Sequence, residues 1–100
     1  MQPNMRMIQQ MQQRIQQAQD ELATTIVEGT AGGGMVTVQV TALKTMQSIK
    51  IAPEAVDPED VELLEDLVVA AINDAMSNAE AVAADKMSGI TGGIKIPGLT

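Results

Sequence analysis

Two arginines and three glutamines near the start of the chain are the clearest candidates for chemistry. At 100° per residue of an α-helix, five side chains share one helix face: Arg6, Gln10, Gln13, Arg14 and Gln17. Residues 1–19 contain no Asp or Glu, so no carboxylate on this basic face repels an anion. Guanidinium and amide groups donate hydrogen bonds that suit phosphate oxygens. The basic face therefore predicts contact with a polyanion, and a merely solvated helix face is the alternative.

Three lysines could extend such a contact. Lys86 lies near the end of a predicted long helix, where the helix dipole alone favours a cation. Lys95 lies in a glycine-rich C-terminal segment that could act as a flexible arm, and Lys44 lies at a predicted hairpin. The predicted anion-binding residues are Arg6, Gln10, Gln13, Arg14, Gln17, Lys86 and Lys95.

The chain lacks the residues that most catalytic and metal sites require. Histidine and cysteine are absent, which excludes the usual nucleophilic triads, zinc sites and disulfides. Met5, Met7 and Met11 could bind copper, but apolar packing is the favoured interpretation. The acids of residues 54–66 lack the order of a calcium loop, and the glycines of residues 32–34 lack a phosphate-loop motif. We therefore predict no enzyme, no metal site and no cofactor.

Length and composition predict one thinly packed domain. The chain has 100 residues and no Phe, Tyr or Trp, so its core must consist of smaller apolar side chains. Its net charge is −7, but seven of its thirteen acids fall in residues 54–66, which leaves six acids and six bases elsewhere. No apolar run suits a signal peptide or a membrane span. We expect a cytoplasmic protein without a membrane partner.

The basic face must be positioned by a helix over residues 5–23, which are rich in helix formers. The opposite side of this helix carries an apolar seam with the 3,4,3,4 spacing of a coiled coil, formed by Ile8, Met11, Ile15, Ala18 and Leu22. β-Branched and alternating residues predict strands over residues 25–30, 35–41 and 46–51. Short connections between them predict a three-stranded antiparallel meander.

A long second helix is predicted to begin at Asp57-Pro58, where a capping side chain precedes a proline, and to end at Ser88-Gly89. About thirty residues at 1.5 Å each give a rod of roughly 45 Å, whereas a compact domain of this size has a radius of gyration near 13 Å. A helix of this length must extend beyond its own domain, and a second copy of the chain could cover its apolar side. We therefore predict a homodimer of residues 1–88 and a tail of residues 89–100. The predicted dimer-interface residues are Ile8, Met11, Ile15, Leu22, Ile72, Ala75, Met76, Ala79 and Val82.

Three stretches, GMVTVQVTA, QSIKIAPEAV and LLEDLVVAAINDAM, together resemble the YbaB/EbfC family of bacterial nucleoid-associated proteins. The resemblance covers almost the whole chain. It implies an α+β fold with a three-stranded antiparallel sheet, a tweezer-like homodimer, and binding of duplex DNA with little sequence preference.

Two hypotheses follow. In the first, the protein is nucleoid-associated and binds the backbone of duplex DNA, with possible effects on nucleoid organisation and gene expression. In the second, it is an interaction module that docks onto a protein of DNA repair or replication, because its net charge is acidic and its seam is apolar.

Overall fold

The fold is α+β, as predicted, and the computed structural model describes residues 5–90. The elements follow in the predicted order: helix α1 (Met5–Thr24), strands β1 (Ile26–Ala31), β2 (Val36–Thr41) and β3 (Met46–Ile51), a short 3-10 turn (Pro53–Ala55) and helix α2 (Val61–Ile90).

The three strands form one antiparallel sheet in the order β1-β2-β3, which confirms the meander. Val36, Val38 and Val40 are fully buried on one face of the central strand. The opposite face is polar: Gln39 donates a hydrogen bond to Glu28 (3.0 Å) and accepts one from Ser48 (3.2 Å). The alternation of Val with Thr and Gln in β2 therefore identifies the covered face of the sheet correctly.

Helix α2 lies unusually close to β1 because small residues meet there. Ala71, Ala75 and Ala79 recur at intervals of four and have no exposed surface. Opposite them is Gly29, where a Cβ atom would come within 2.1 Å of the backbone nitrogen of Ala75. These small side chains therefore allow close approach of α2 to the sheet. Ala75 and Ala79, which we predicted in the dimer interface, belong to the core of the protomer.

Beyond the sheet, the C-terminal part of α2 packs against α1. Leu22 is buried in the same core as the alanines of α2, with Ala83 and Met87 packed against that core. Leu22 is therefore a third predicted interface residue that the protomer itself buries. We call residues 5–22 and 83–90 together the arm. The structure measures 67 × 27 × 16 Å with a radius of gyration of 18.7 Å, so the predicted overhang is present.

Helix α2 begins three residues later than the Asp57-Pro58 signal predicts. The Asp57 side chain accepts a hydrogen bond from the Glu59 N–H (3.0 Å), and its carbonyl accepts one from the Asp60 N–H (2.9 Å). Asp60 then caps the helix by accepting from the Leu63 N–H (3.3 Å). Asp57 therefore stabilises a turn, and the next suitable side chain serves as the helix cap.

At its other end, α2 continues through Ile90 and so includes Gly89, two residues past the predicted boundary. The remainder of the predicted tail, with Lys95, lies outside the described residues.

Candidate nucleic-acid interface

The basic face of α1 is open to solvent along its whole length. All five of its side chains (Arg6, Gln10, Gln13, Arg14 and Gln17) are exposed. The first acid of the helix is Asp20, whose carboxylate accepts a hydrogen bond from the Gln16 amide at 3.1 Å. Only Ala18 and Leu22 of α1 are buried, so the helix is anchored through its C-terminal third. Its first three turns present guanidinium and amide donors to any ligand.

An interhelical ion pair places a lysine of α2 beside the basic face. Lys86 of α2 pairs with Glu21 of α1. Both border an open cleft of about 260 Å³ between the two helices, which is lined by Arg14, Gln17, Ala18, Glu21, Lys86, Gly89 and Ile90. The structure therefore brings three of the predicted anion-binding residues, Arg14, Gln17 and Lys86, to one cleft.

The same ion pair changes the interpretation of Lys86. The last turn of α2 contains no basic residue, because the helix extends four residues beyond Lys86, so the helix dipole does not account for its position. Its carboxylate partner lies 65 positions away on α1. Sequence reasoning missed Glu21, since no local pattern links two residues so far apart.

The remaining candidates do not join this cleft. Arg6, Gln10 and Gln13 lie farther along α1, beyond the cleft-lining residues. Lys44 lies in the turn between β2 and β3, within 3.8 Å of Glu80. Lys86 therefore belongs to the arm, whereas Lys44 belongs to a turn of the sheet.

Negative charge is concentrated far from the arm. Seven acids fall in residues 54–66, which lead into the first turns of α2. From Val61 to Ile90 the helix rises by roughly 44 Å, several times the Debye length of about 8 Å at physiological ionic strength. A polyanion approaching the arm is therefore screened from the acidic end.

Other site types find little support in the part of the chain that the structure describes. Among residues 5–90, no three Asp or Glu side chains converge as a metal site would require. None of the described helices is both long enough and apolar enough to cross a membrane.

The sequence profile of the YbaB/EbfC DNA-binding family matches residues 1–94. The chain belongs to the YbaB/EbfC DNA-binding family. A nucleoid-associated protein of Chloroflexus aurantiacus is 55% identical over 91 residues, which are 91% of each chain. A nucleoid-associated protein of Caldanaerobacter subterraneus is also 55% identical over 91 residues, covering 91% of this chain and 82% of the relative. The resemblance found in the sequence is thus confirmed, and this family is a DNA-binding family rather than an enzyme family.

The fold of this YbaB/EbfC family member also occurs in a solved structure. The crystal structure of an uncharacterized protein from Helicobacter pylori superposes with a TM-score of 0.74 and covers 85% of this chain and 89% of that chain. The two sequences are 24% identical, so this likeness supports the fold alone. The assignment to the family rests on the profile and the closer relatives.

Proposed function

We propose that this chain is a nucleoid-associated protein that binds duplex DNA through its phosphate backbone with little sequence preference. The observation that carries the proposal is the exposed, carboxylate-free face of α1, which leads into the cleft holding Arg14 and Lys86. Membership of a DNA-binding family supports it, as do the names of the nucleoid-associated relatives. Binding of this kind would place the protein on the nucleoid and influence DNA organisation and gene expression.

The dimensions of the basic face suit a DNA groove. Eight residues separate Arg6 from Arg14, which corresponds to roughly 12 Å along the helix axis, and the major groove of B-DNA is about 12 Å wide. The two guanidinium groups can therefore reach phosphates on either side of one groove. Contacts to phosphates fix position without carrying sequence information, which supports weak sequence preference.

The electrostatics predict binding that depends strongly on salt. The favourable charge is confined to a few side chains per protomer, while the chain as a whole carries −7. When affinity comes from neutralised phosphates, the logarithm of the affinity falls linearly with the logarithm of the salt concentration. The slope is about −0.9 for each phosphate contact. We therefore expect tight binding at low ionic strength and a steep loss as salt increases.

An electrophoretic shift titration tests this proposal. The full chain is titrated into several unrelated random duplexes of equal length at a series of salt concentrations. We expect similar affinities for all duplexes and a linear decrease of log affinity with log salt. Absence of a shift at the lowest salt, or strong preference for one duplex, would contradict backbone binding.

We further propose that the protein acts as a homodimer, because α2 leaves an apolar part of the sheet uncovered. Ile49 pairs with Val38 and Ile51 pairs with Val36, so these isoleucines share the covered face of β2. They are nevertheless 43% and 37% exposed, since α2 packs mainly over β1 and β2. On the arm, the seam residues Ile8, Met11 and Ile15 are exposed as well. Of the other predicted interface residues, Ile72 and Met76 are half-buried and Val82 is exposed.

Sedimentation equilibrium checks the dimer. At micromolar concentration we expect about 21 kDa, twice the 10.5 kDa of one chain, because dimers commonly bury such apolar patches. The substitution Ile49→Lys should shift the equilibrium toward the monomer. Ile26→Lys is the matched control, since Ile26 is equally apolar and 49% exposed but lies on the polar face. A wild-type chain that sediments as a folded monomer would contradict the dimer.

A further inference from the structure

The outer edge of β1 is occupied by two side chains of α2. The backbone N–H of Thr30 donates a hydrogen bond to Asp74 Oδ2 at 2.9 Å. The carbonyl of Glu28 accepts one from Asn78 Nδ2 at 2.8 Å. Successive residues of a strand direct their backbone groups to alternate sides, so Glu28 and Thr30 both point away from β2. These are two of the backbone groups that a neighbouring strand would bind.

The spacing of these two side chains fits the strand because α2 lies so close to it. Asp74 and Asn78 are four residues apart and therefore share one side of the helix. Ala75, which follows Asp74, is in backbone contact range of Gly29, between the two bonded strand residues. Only this close approach lets side chains as short as Asp and Asn reach the strand backbone. One carboxylate accepts and one amide donates, which matches the donor and acceptor that the strand presents.

The opposite edge of the sheet differs. Strand β3 pairs with β2 alone, and all six of its residues are exposed. Sheet edges with unpaired backbone groups are templates for strands of other chains. Among the described residues, side chains of α2 therefore bond to the β1 edge, whereas β3 is exposed along its length.

We propose that Asp74 and Asn78 replace a neighbouring strand and so prevent the β3 strand of a second copy from adding to β1. A sheet with two open edges can pair head to tail, β3 of one copy on β1 of the next. Such heterologous contacts generate open-ended assemblies unless the rotation closes. Because Asp74 and Asn78 cover the β1 edge, one of the two edges that this contact needs is not available. Assembly is thereby limited to finite, closed forms. This role is independent of DNA binding. Asp74 lies within the LLEDLVVAAINDAM stretch, and Asn78 follows that stretch by two residues.

The test compares assembly size in the absence of DNA. The double substitution Asp74→Ala/Asn78→Ala should expose Thr30 N–H and Glu28 C=O to another chain. In sedimentation velocity and light scattering, we expect the weight-average mass to rise with concentration to at least about twice the wild-type value. Asn73→Ala/Asp85→Ala is the matched control, because it removes the same two residue types from exposed positions of α2. This control should sediment like the wild type.

Two further variants separate edge closure from a general loss of structure. Thr30→Pro, added to Asp74→Ala/Asn78→Ala, removes the exposed N–H at an edge position where proline is tolerated, and should restore the wild-type size. Asp74→Asn keeps a carbonyl acceptor for Thr30 and should remain at the wild-type size. If the double variant does not fold, the single variants Asp74→Ala and Asn78→Ala are measured in the same way. A folded edge variant that sediments like the wild type at all concentrations would overturn the proposal, as would equal growth of the control.

Discussion

Substitution of Gly29 by alanine is expected to destabilise the protomer more than any other change of one methyl group. The new Cβ atom would lie 2.1 Å from the backbone nitrogen of Ala75 and 2.6 Å from the carbonyl oxygen of Ala71. Backbone atoms in the middle of α2 cannot rotate aside, so the helix must move away from the sheet. Overpacking of a core typically costs about 1–3 kcal/mol, and displacement of the helix places this variant at or above the upper end. Urea unfolding followed by circular dichroism measures the loss.

Gly89→Ala is the matched control for this prediction. Gly89 lies within α2 itself, and a Cβ atom added there would have no neighbour within 4 Å. Alanine is favoured over glycine by about 0.5–1 kcal/mol in the middle of a helix and by less at the penultimate position that Gly89 occupies. This variant should therefore be at least as stable as the wild type. All unfolding curves are compared at one protein concentration, since the stability of the proposed dimer would depend on it. Equal stability of Gly29→Ala and the wild type would contradict the close packing of α2 on β1.

The largest expected effect on DNA binding comes from Arg6→Ala/Arg14→Ala. In a dimer this change removes four guanidinium groups from the basic faces. If each contacts one phosphate, the slope of log affinity against log salt should become less steep by about 3.6. The same relation predicts that the affinity difference from the wild type shrinks by roughly 150-fold between 50 and 200 mM salt, so the loss should be largest at low salt. The measurement is the electrophoretic titration described above, with sedimentation showing that the variant still dimerises.

A charge-matched control distinguishes the basic face from general electrostatics. Lys44→Ala/Lys50→Ala removes the same number of positive charges, but Lys44 pairs with Glu80 and Lys50 lies on the polar face of the sheet. This control should keep most of the affinity and the wild-type salt slope. If the arginine variant binds like the wild type, or if both variants lose affinity equally, α1 is not the DNA-binding surface.

The proposed DNA-binding surface lies on the arm, away from the cluster of acids in residues 54–66. Arg14 and Lys86 meet at one cleft although they come from different helices, and Glu21 holds Lys86 against α1. The acids of residues 54–66 lie near the opposite end of α2. Separation by several Debye lengths lets the two regions act almost independently. The proposed binding therefore depends on the position of the charges rather than on their sum.

Local patterns in the sequence were sufficient to predict the elements. The alternating residues of MVTVQVT predicted strand β2, and the signals at Asp57-Pro58 and Ser88-Gly89 predicted a helix too long for a compact domain. The basic face of α1 was predicted from helical spacing alone, because the polarity of side chains repeats with the period of the backbone. Helix ends were less certain: Asp57 and Asp60 are both capping residue types, and a short turn decides between them.

The tertiary structure alone decided which partner each face meets. The alanines at 71, 75 and 79 suit close approach of any backbone, and only the fold shows that the backbone is β1 at Gly29. The pairing of Lys86 with Glu21, and of Asp74 and Asn78 with the edge of β1, joins residues 44 to 65 positions apart. Such contacts arise when the chain folds back on itself, and nothing in the local sequence encodes them. The sequence by itself thus determined the polarity of each face, because side-chain polarity repeats with the period of the backbone, and the fold determined which faces remain exposed.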